Sequence, residues 1–421
     1  MNIKLLVFPC GSEIGLEVYR SLIYSRNIEL IGGTSVDDHG EYIFDNIIKG
    51  IPLFSEDNFI EEINKIIKEN NIDAIYPTMD GVIEKLSKYR LELDCDVIAP
   101  DYKITELCLS KTKTYNLLNE MIRCPDIYRS KGEYKYPMFA KPDIGYGSRG
   151  AKLIVNQNEI SEQLIKYPNT IFCEYLPGDE YTVDCFTNKA GEILFCGARK
   201  RNRVVNGISV STIPVDNSEF LESISIINKK VGFRGAWFAQ FKRNSEGDLV
   251  LLEIAARFGG SSSLHRNMGV NFALLTIFDY YQYPIDLVIN KYALTLDRAL
   301  SNKFKLDIKY KYIYIDFDDC LYINNKINVT LISFIFQEIN KGKLVVLISK
   351  HDGDLTAKLK DLRISQLFDQ VIHLSKEDCK YKHVISNSSI FFDDSFFERK
   401  QMRDNLGIYV FSPDMIESLI D

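Results

Sequence analysis

Apolar residues fall into two rhythms along the first hundred positions. Short apolar runs, KLLVF at 4–8 and DAIYP at 73–77, alternate with stretches such as EEINKIIKEN at 61–70, where apolar residues recur at helical spacing. Short strands alternating with helices predict a parallel α/β sheet. Residues 1–104 therefore read as a Rossmann-like domain. GSEIG at 11–15 follows the first strand and opens a helix. A glycine turn there can aim backbone N–H groups at an anion. The full GxGxxG spacing is absent, which favours a plain strand-to-helix turn.

The pattern changes near residue 105. ITELCLSKTKTYNLLNEM predicts a helix. Several strand patterns with Gly-rich and charged turns follow, and a helix carrying NFALLTIFDYY closes the region. Residues 105–300 thus read as an α+β domain. The polar stretch LDRALSNKFKLDIKY at 296–310 reads as a linker. From about 308 to 421 the alternation restarts: KYIYID, a helix at 329–341, KLVVLIS, a short helix, QVIHL, a helix near 380–387, SIFFDD, a helix and IYVFS. These strands look buried on both faces, as in a smaller parallel α/β domain.

Composition narrows the options. A chain of 421 residues allows roughly two to four domains. Its 46 % hydrophobic and 26 % charged residues suit a soluble globular protein. A net charge of -7 argues against broad binding to nucleic acid or anionic membranes. Nine scattered cysteines without CxxC spacing fit a reduced, cytoplasmic chain better than a disulfide framework or a zinc site. No uncharged apolar run of about 18 residues predicts a membrane span.

Four features of the middle region carry chemistry. In MFAKPDIGYGSRGAKLI, Lys141 closes a strand and Gly145, Gly147, Ser148 and Gly150 form a loop before the next strand. Backbone N–H groups in such a loop can cradle phosphates, with the lysine as a point charge; a plain flexible hairpin is the alternative. In FCEYLPGDEYTVDCF, Glu174 and Glu180 sit where backbone groups and a carboxylate could take a base and a ribose. In LVLLEIAARFGGSSS, Glu253 interrupts an apolar strand, where an unpaired carboxylate is expensive. With Gln240 of WFAQFK it makes an oxygen pair suited to Mg²⁺, while an ion pair to Arg257 is the structural alternative. In ARKRNRVVNG, Arg199, Arg201 and Arg203 alternate, so a strand would put them on one face, toward phosphate or carboxylate or along a solvated edge.

In this order the pieces resemble the ATP-grasp superfamily, most closely the carboxylate–amine ligases related to carbamoyl-phosphate synthase and to the pyrrolysine-biosynthesis ligase. The resemblance spans the first two regions. It implies ATP and Mg²⁺ as cofactors, with Lys111 and Lys141 on the phosphates under the 145–150 loop. It places Glu174 at the adenine hinge and Glu180 on the ribose, gives Gln240 and Glu253 to Mg²⁺, and points Arg257 at the transferred phosphoryl group. Ala255 stands where the family usually carries Asn, so a second metal would lose a ligand. The implied reaction turns a small-molecule carboxylate into an acyl phosphate that an amine captures. An ATP-grasp kinase and a nucleotide-binding regulator without turnover remain open, and a homo-oligomer is compatible with all three.

The last region holds the acids Asp316, Asp318 and Asp319 in YIDFDDCLY. A calcium loop counted from Asp316 would need Gly and Glu where Leu321 and Ile327 stand. A Mg²⁺-dependent phosphotransfer site accounts for all three acids, since a metal offsets their repulsion. Ser349, Lys380, Asp393 and Asp394 recur at strand ends or on the helix between them. The series resembles the haloacid-dehalogenase-like (HAD-like) hydrolases, with Cys320 in place of the usual Thr and no room for a cap domain. The resemblance implies Asp316 as nucleophile, Asp318 as general acid/base, Ser349 and Lys380 on phosphate, and the metal at Asp316, Asp318, Asp393 and Asp394.

Overall fold

The central strand of the first sheet shows how its sequence is spent. β1 (Ile3–Phe8) sends Leu5 and Val7 to one side, against Ile14, Val18 and Leu22 of the helix Glu13–Leu22. Leu6 and Phe8 face the other side, against Phe59, Ile63 and Ile67 of the helix Phe59–Asn70. Burial on both faces is what a parallel strand between two helical layers requires. With β2 (Ile28–Thr34), β3 (Ile47–Lys49), β4 (Ala74–Pro77) and β5 (Asp96–Val97) it forms a parallel sheet in the order β3-β2-β1-β4-β5. The turn at 11–15 spends its polar groups locally. Ser12 Oγ caps the helix by accepting from Gly15 N at 2.9 Å and lies 2.8 Å from Thr78 Oγ1.

This is a computed structural model, which describes residues 2–145, 149–385 and 387–421. The chain divides into two compact units, Met1–Leu300 and Ser301–Asp421. The first also holds two antiparallel sheets. β6 (Ile127–Tyr128), β7 (Met138–Pro142), β8 (Lys152–Ile154) and β9 (Thr170–Glu174) run in the order β6-β9-β7-β8. β10 (Glu180–Thr187), β11 (Ile193–Val205), β12 (Ile208–Pro214), β13 (Gly235–Arg243), β14 (Leu249–Ala255) and β15 (Leu296–Asp297) run in the order β14-β13-β10-β11-β12-β15. Period-two alternation divides this larger sheet. Tyr181, Val183 and Cys185 pack under Ile224, Ile227, Tyr115 and Leu118, while Glu180, Thr182 and Asp184 populate the opposite, polar face.

Two predicted elements of the first unit differ from the structure. The helix expected over ITELCLSKTKTYNLLNEM is broken at Ser110 into Tyr102–Leu109 and Lys111–Leu118. Ser110 is extended there, and its Oγ accepts from Lys113 N at 3.1 Å, capping the second helix. The stretch expected as a linker contributes β15, which pairs with Ser211 and Thr212.

The second unit is built on β16 (Tyr312–Ile315), followed by a hairpin of β17 (Tyr322–Ile323) and β18 (Lys326–Ile327). Asn324 and Asn325 both have positive φ, as a two-residue hairpin turn demands. β19 (Leu344–Ser349), β20 (Gln370–His373), β21 (Ser389–Phe392) and β22 (Tyr409–Phe411) complete a parallel sheet in the order β20-β19-β16-β21-β22. Ile313 and Ile315 pack against Leu331, Phe334 and Ile335 of the helix Val329–Asn340, while Tyr314 and Phe391 pack against Met402 of the helix Phe396–Leu406. The helix expected near 380–387 is a single 3₁₀ turn, Lys380–His383. No helix among the described residues is long and apolar enough to cross a membrane.

Candidate active site

In the first unit a cleft of about 250 Å³ opens between the two antiparallel sheets. Lys111 and Lys141 enter it from the helix Lys111–Leu118 and from β7, and both are at least nine-tenths buried. Lys141 Nζ donates to Tyr115 Oη at 2.8 Å, and Tyr115 Oη donates to Leu252 O on β14 at 2.5 Å. Burial pushes the Tyr115 phenol up to about 12, so it stays neutral and can serve both partners. Burial lowers the Lys111 pKa, opposed by the nearby Glu253 charge. Its Nζ reaches the carbonyls of Asp143 (3.3 Å) and Gly145 (3.4 Å).

Those carbonyls belong to the base of the glycine loop. Asp143 pins the loop to the helix start, accepting from Thr112 N and Ser110 Oγ, each at 2.7 Å. Burial favours the neutral acid, but these hydrogen bonds hold its pKa below the usual carboxylate value. Gly145 lines the cleft, and Gly150 adopts a φ of +75°. Gly147 and Ser148 lie outside the described residues.

The floor is the polar face of the larger sheet. Gln240 and Glu253 are direct cross-strand partners. Among the described residues Glu253 makes no ion pair, and its carboxylate lines the cleft with both lysines. The Glu253–Arg257 pair considered from sequence is not formed. Arg257 instead grips Asp80, Nε to Oδ1 at 2.6 Å and Nη2 to Oδ2 at 2.8 Å. It lines the cleft with two of its donors already spent on this carboxylate. Glu180 is paired with Arg201 and lies 3.6 Å from Lys242 Nζ. Arg201 Nη1 also donates to Gln240 Oε1 at 3.1 Å. Glu174 lines the cleft, with its carboxylate held by Arg123 Nη2 at 2.5 Å.

The three alternating arginines do not act as one face. Arg199 is 3 % exposed and bonded through Nε to Asp184 at 2.6 Å, outside the cleft. Arg201 is in the cleft. Arg203 lies beyond a register shift in the β11–β12 ladder and pairs at the surface with Asp297. A bulge re-aims the side chains past it, which simple alternation misses. His265 is buried 3.4 Å from Asp184 Oδ2.

The second unit gathers its acids at the carboxyl ends of two neighbouring strands, β16 and β21, beside β19, which ends in Ser349. Ligand oxygens of Asp316, Asp393 and Asp394 lie within 4.8 Å of one another. Lys380 Nζ joins two of them, 2.7 Å from Asp316 Oδ1 and 2.6 Å from Asp393 Oδ2. Burial pushes the Asp316 carboxyl up to about 7 against the pull of Lys380, with Asp393 adding to the rise. Asp393 is raised by burial too. Three close carboxylate oxygens, two on acids burdened by burial, are a donor set that fits a hard divalent cation such as Mg²⁺. Asp318 lies outside this cluster. Its carboxylate instead meets His351 Nδ1 at 2.9 and 3.0 Å. Ser349 is buried at the end of β19, and Asp319 has a positive φ.

Residues 166–290 match a sequence family described as "ATP-grasp in the biosynthetic pathway with Ter operon". A D-alanine–D-alanine ligase of Fusobacterium nucleatum is 24 % identical over 250 residues, covering 53 % of this chain and 85 % of its own. Among solved structures, the N5-carboxyaminoimidazole synthetase of Staphylococcus aureus complexed with ADP superposes with a TM-score of 0.58 at 16 % identity, over 71 % of this chain and 83 % of its own. The biotin carboxylase domain of Hydrogenobacter thermophilus 2-oxoglutarate carboxylase, in complex with MgADP, ADP and bicarbonate, gives 0.57 at 18 %, over 68 % and 71 %. The first unit has the ATP-grasp fold.

In this ATP-grasp unit, sequence reasoning missed Tyr115, Lys242 and Asp80. Tyr115 stands one helical turn after Lys111, and Lys242 two strand positions after Gln240, so period alone could have raised both. Asp80 is 177 residues from the arginine it holds, and no local pattern signals it. In the second unit His351, two residues past Ser349, was also missed.

Proposed function

We propose that the ATP-grasp unit is an ATP- and Mg²⁺-dependent ligase that activates a small-molecule carboxylate as an acyl phosphate for capture by an amine. The observation that carries this reading is the unpaired Glu253 carboxylate beside Gln240, facing two buried lysines in one cleft. A carboxylate left unpaired next to buried cations suits a site completed by a charged ligand. The relatives that carry ADP or MgADP support a nucleotide there. Bound Mg²⁺ would neutralise phosphate charge at Glu253 and Gln240. Lys111 and Lys141 would hold phosphate oxygens, with Tyr115 keeping Lys141 aimed. The chain's contribution is positioning and charge neutralisation rather than acid/base chemistry. Arg257, anchored on Asp80, would offer its remaining donors to the transferred group. Ala255, which offers no ligand atom, favours a second reading, a nucleotide-binding regulator that binds ATP tightly without turnover.

The second unit is proposed to be a HAD-like, Mg²⁺-dependent phosphatase. An Asp316 oxygen attacks phosphorus, the phosphorus–ester oxygen bond breaks, and the leaving oxygen takes the proton of Asp318. Water then attacks the aspartyl phosphate, giving its proton to Asp318 and releasing phosphate from Asp316. Ser349 and Lys380 would hold the phosphate, and Asp316, Asp393 and Asp394 are the oxygens that fit the metal.

The ligase reading makes a direct demand. Glu253→Ala removes ADP formation and leaves the circular dichroism spectrum of the folded chain unchanged. Undiminished ADP formation in that variant contradicts it.

A further inference from the structure

His351 has no role in the chemistry described above, yet its ring is held on several sides. Its edge packs 5.1 Å from the buried Phe317 ring. Its backbone N donates to Ser349 Oγ at 3.2 Å, and its carbonyl accepts from His373 Nε2 at 2.8 Å. From that seat Nδ1 lies 3.0 Å from Asp318 Oδ1 and 2.9 Å from Oδ2. Asp318 needs such a hold. Its side chain is 48 % exposed, it stands apart from the acid cluster fixed by Lys380, and no other ion pair reaches it among the described residues. A half-exposed carboxylate with one partner samples several rotamers when that partner is removed.

We infer that His351 is a positioning residue that fixes the Asp318 carboxyl for proton transfer, an inference that rests on the phosphatase reading of this unit. With the proton on Nδ1, the ring donates to one carboxyl oxygen of Asp318. The other oxygen, also within reach of Nδ1 in this structure, carries the proton that passes to the departing ester oxygen and recovers one from the attacking water. His351 gains and loses no proton over the cycle. A well-placed general acid contributes about 10²–10⁴-fold, and most where the leaving oxygen is basic.

The test uses the full-length chain with Mg²⁺ and two probes, glycerol phosphate with a basic alkoxide leaving group and p-nitrophenyl phosphate with a stable phenolate. His351→Ala is expected to lower kcat on glycerol phosphate about 100-fold, within the range for a lost general acid. On p-nitrophenyl phosphate it should lower kcat only a few-fold, with KM on both within about twofold. His351→Asn, whose amide nitrogen can stand where Nδ1 stands, should recover most of the loss. Adding His351→Ala to Asp318→Asn should cost nothing further. Equal losses on both probes, a change confined to KM, or an Asn variant as poor as Ala would overturn the inference while leaving the phosphatase reading intact. A wild-type chain without Mg²⁺-dependent hydrolysis that Asp316→Asn abolishes would overturn both.

Discussion

Tyr115 illustrates what single residues contribute to the ATP-grasp cleft. Its hydroxyl is the acceptor for a buried ammonium and the donor to a β14 carbonyl, so Tyr115→Phe strands both partners. A loss of about 1–2 kcal/mol in unfolding free energy is expected from the orphaned groups, along with slower ADP formation; denaturant melts and an ADP assay check the two. His265 makes a different prediction. Burial lowers its pKa, Asp184 opposes that and Arg199 adds to it. The folded chain therefore binds fewer protons than the unfolded chain just below the unperturbed histidine pKa of about 6.5. Stability contributed by neutral His265 is present above that pH and is lost as pH falls toward the lower folded value. The drop in Tm between pH 7.5 and 5.5 should shrink in His265→Gln. At this scale the sequence was legible where a residue contradicts its surroundings, as Glu253 does in an apolar strand. It was silent where meaning comes from a distant partner, as with Asp80 and Arg257 or Asp184 and Arg199.

Elements decide how far such residues can be trusted to converge. Strand period and observed register together put Glu180, Gln240 and Glu253 on one face, as β10, β13 and β14 pair across Thr182, Gln240 and Glu253. The same rule fails for Arg203, since the β11–β12 ladder slips between Arg201 and Arg203 and no residue type announces the slip. Helical period likewise ran straight through Ser110, whose capping bond is a local preference that overrides it. The glycine loop offers the element-scale test. Gly150 has a φ of +75°, and a Cβ there would lie 2.9 Å from Tyr167 Cδ1 and 3.0 Å from Pro142 Cγ. Gly150→Ala should cost about 1–2 kcal/mol in backbone strain alone and shift the loop, raising KM for ATP several-fold in an ADP-release assay.

The whole molecule joins two compact units, and the α/β alternation that marks the second is visible in sequence from about residue 308. Trypsin cleavage among Lys303, Lys305, Lys309 and Lys311 should separate them and leave ADP formation with the fragment that holds the cleft, measured on the isolated fragments. The substrate pair is less legible than the fold, because the lysines, Gln240 and Glu253 that line the cleft do not by themselves specify a carboxylate or an amine. Amine-dependent release of ADP across a panel of carboxylate and amine pairs tests the central claim most directly. Running it in the Asp316→Asn background keeps any phosphatase from consuming products. Release of ADP that requires both a carboxylate and an amine, and that vanishes in Glu253→Ala, is the result predicted. ADP formed at the same rate without any amine, or tight ATP binding with no ADP across the panel, would contradict it.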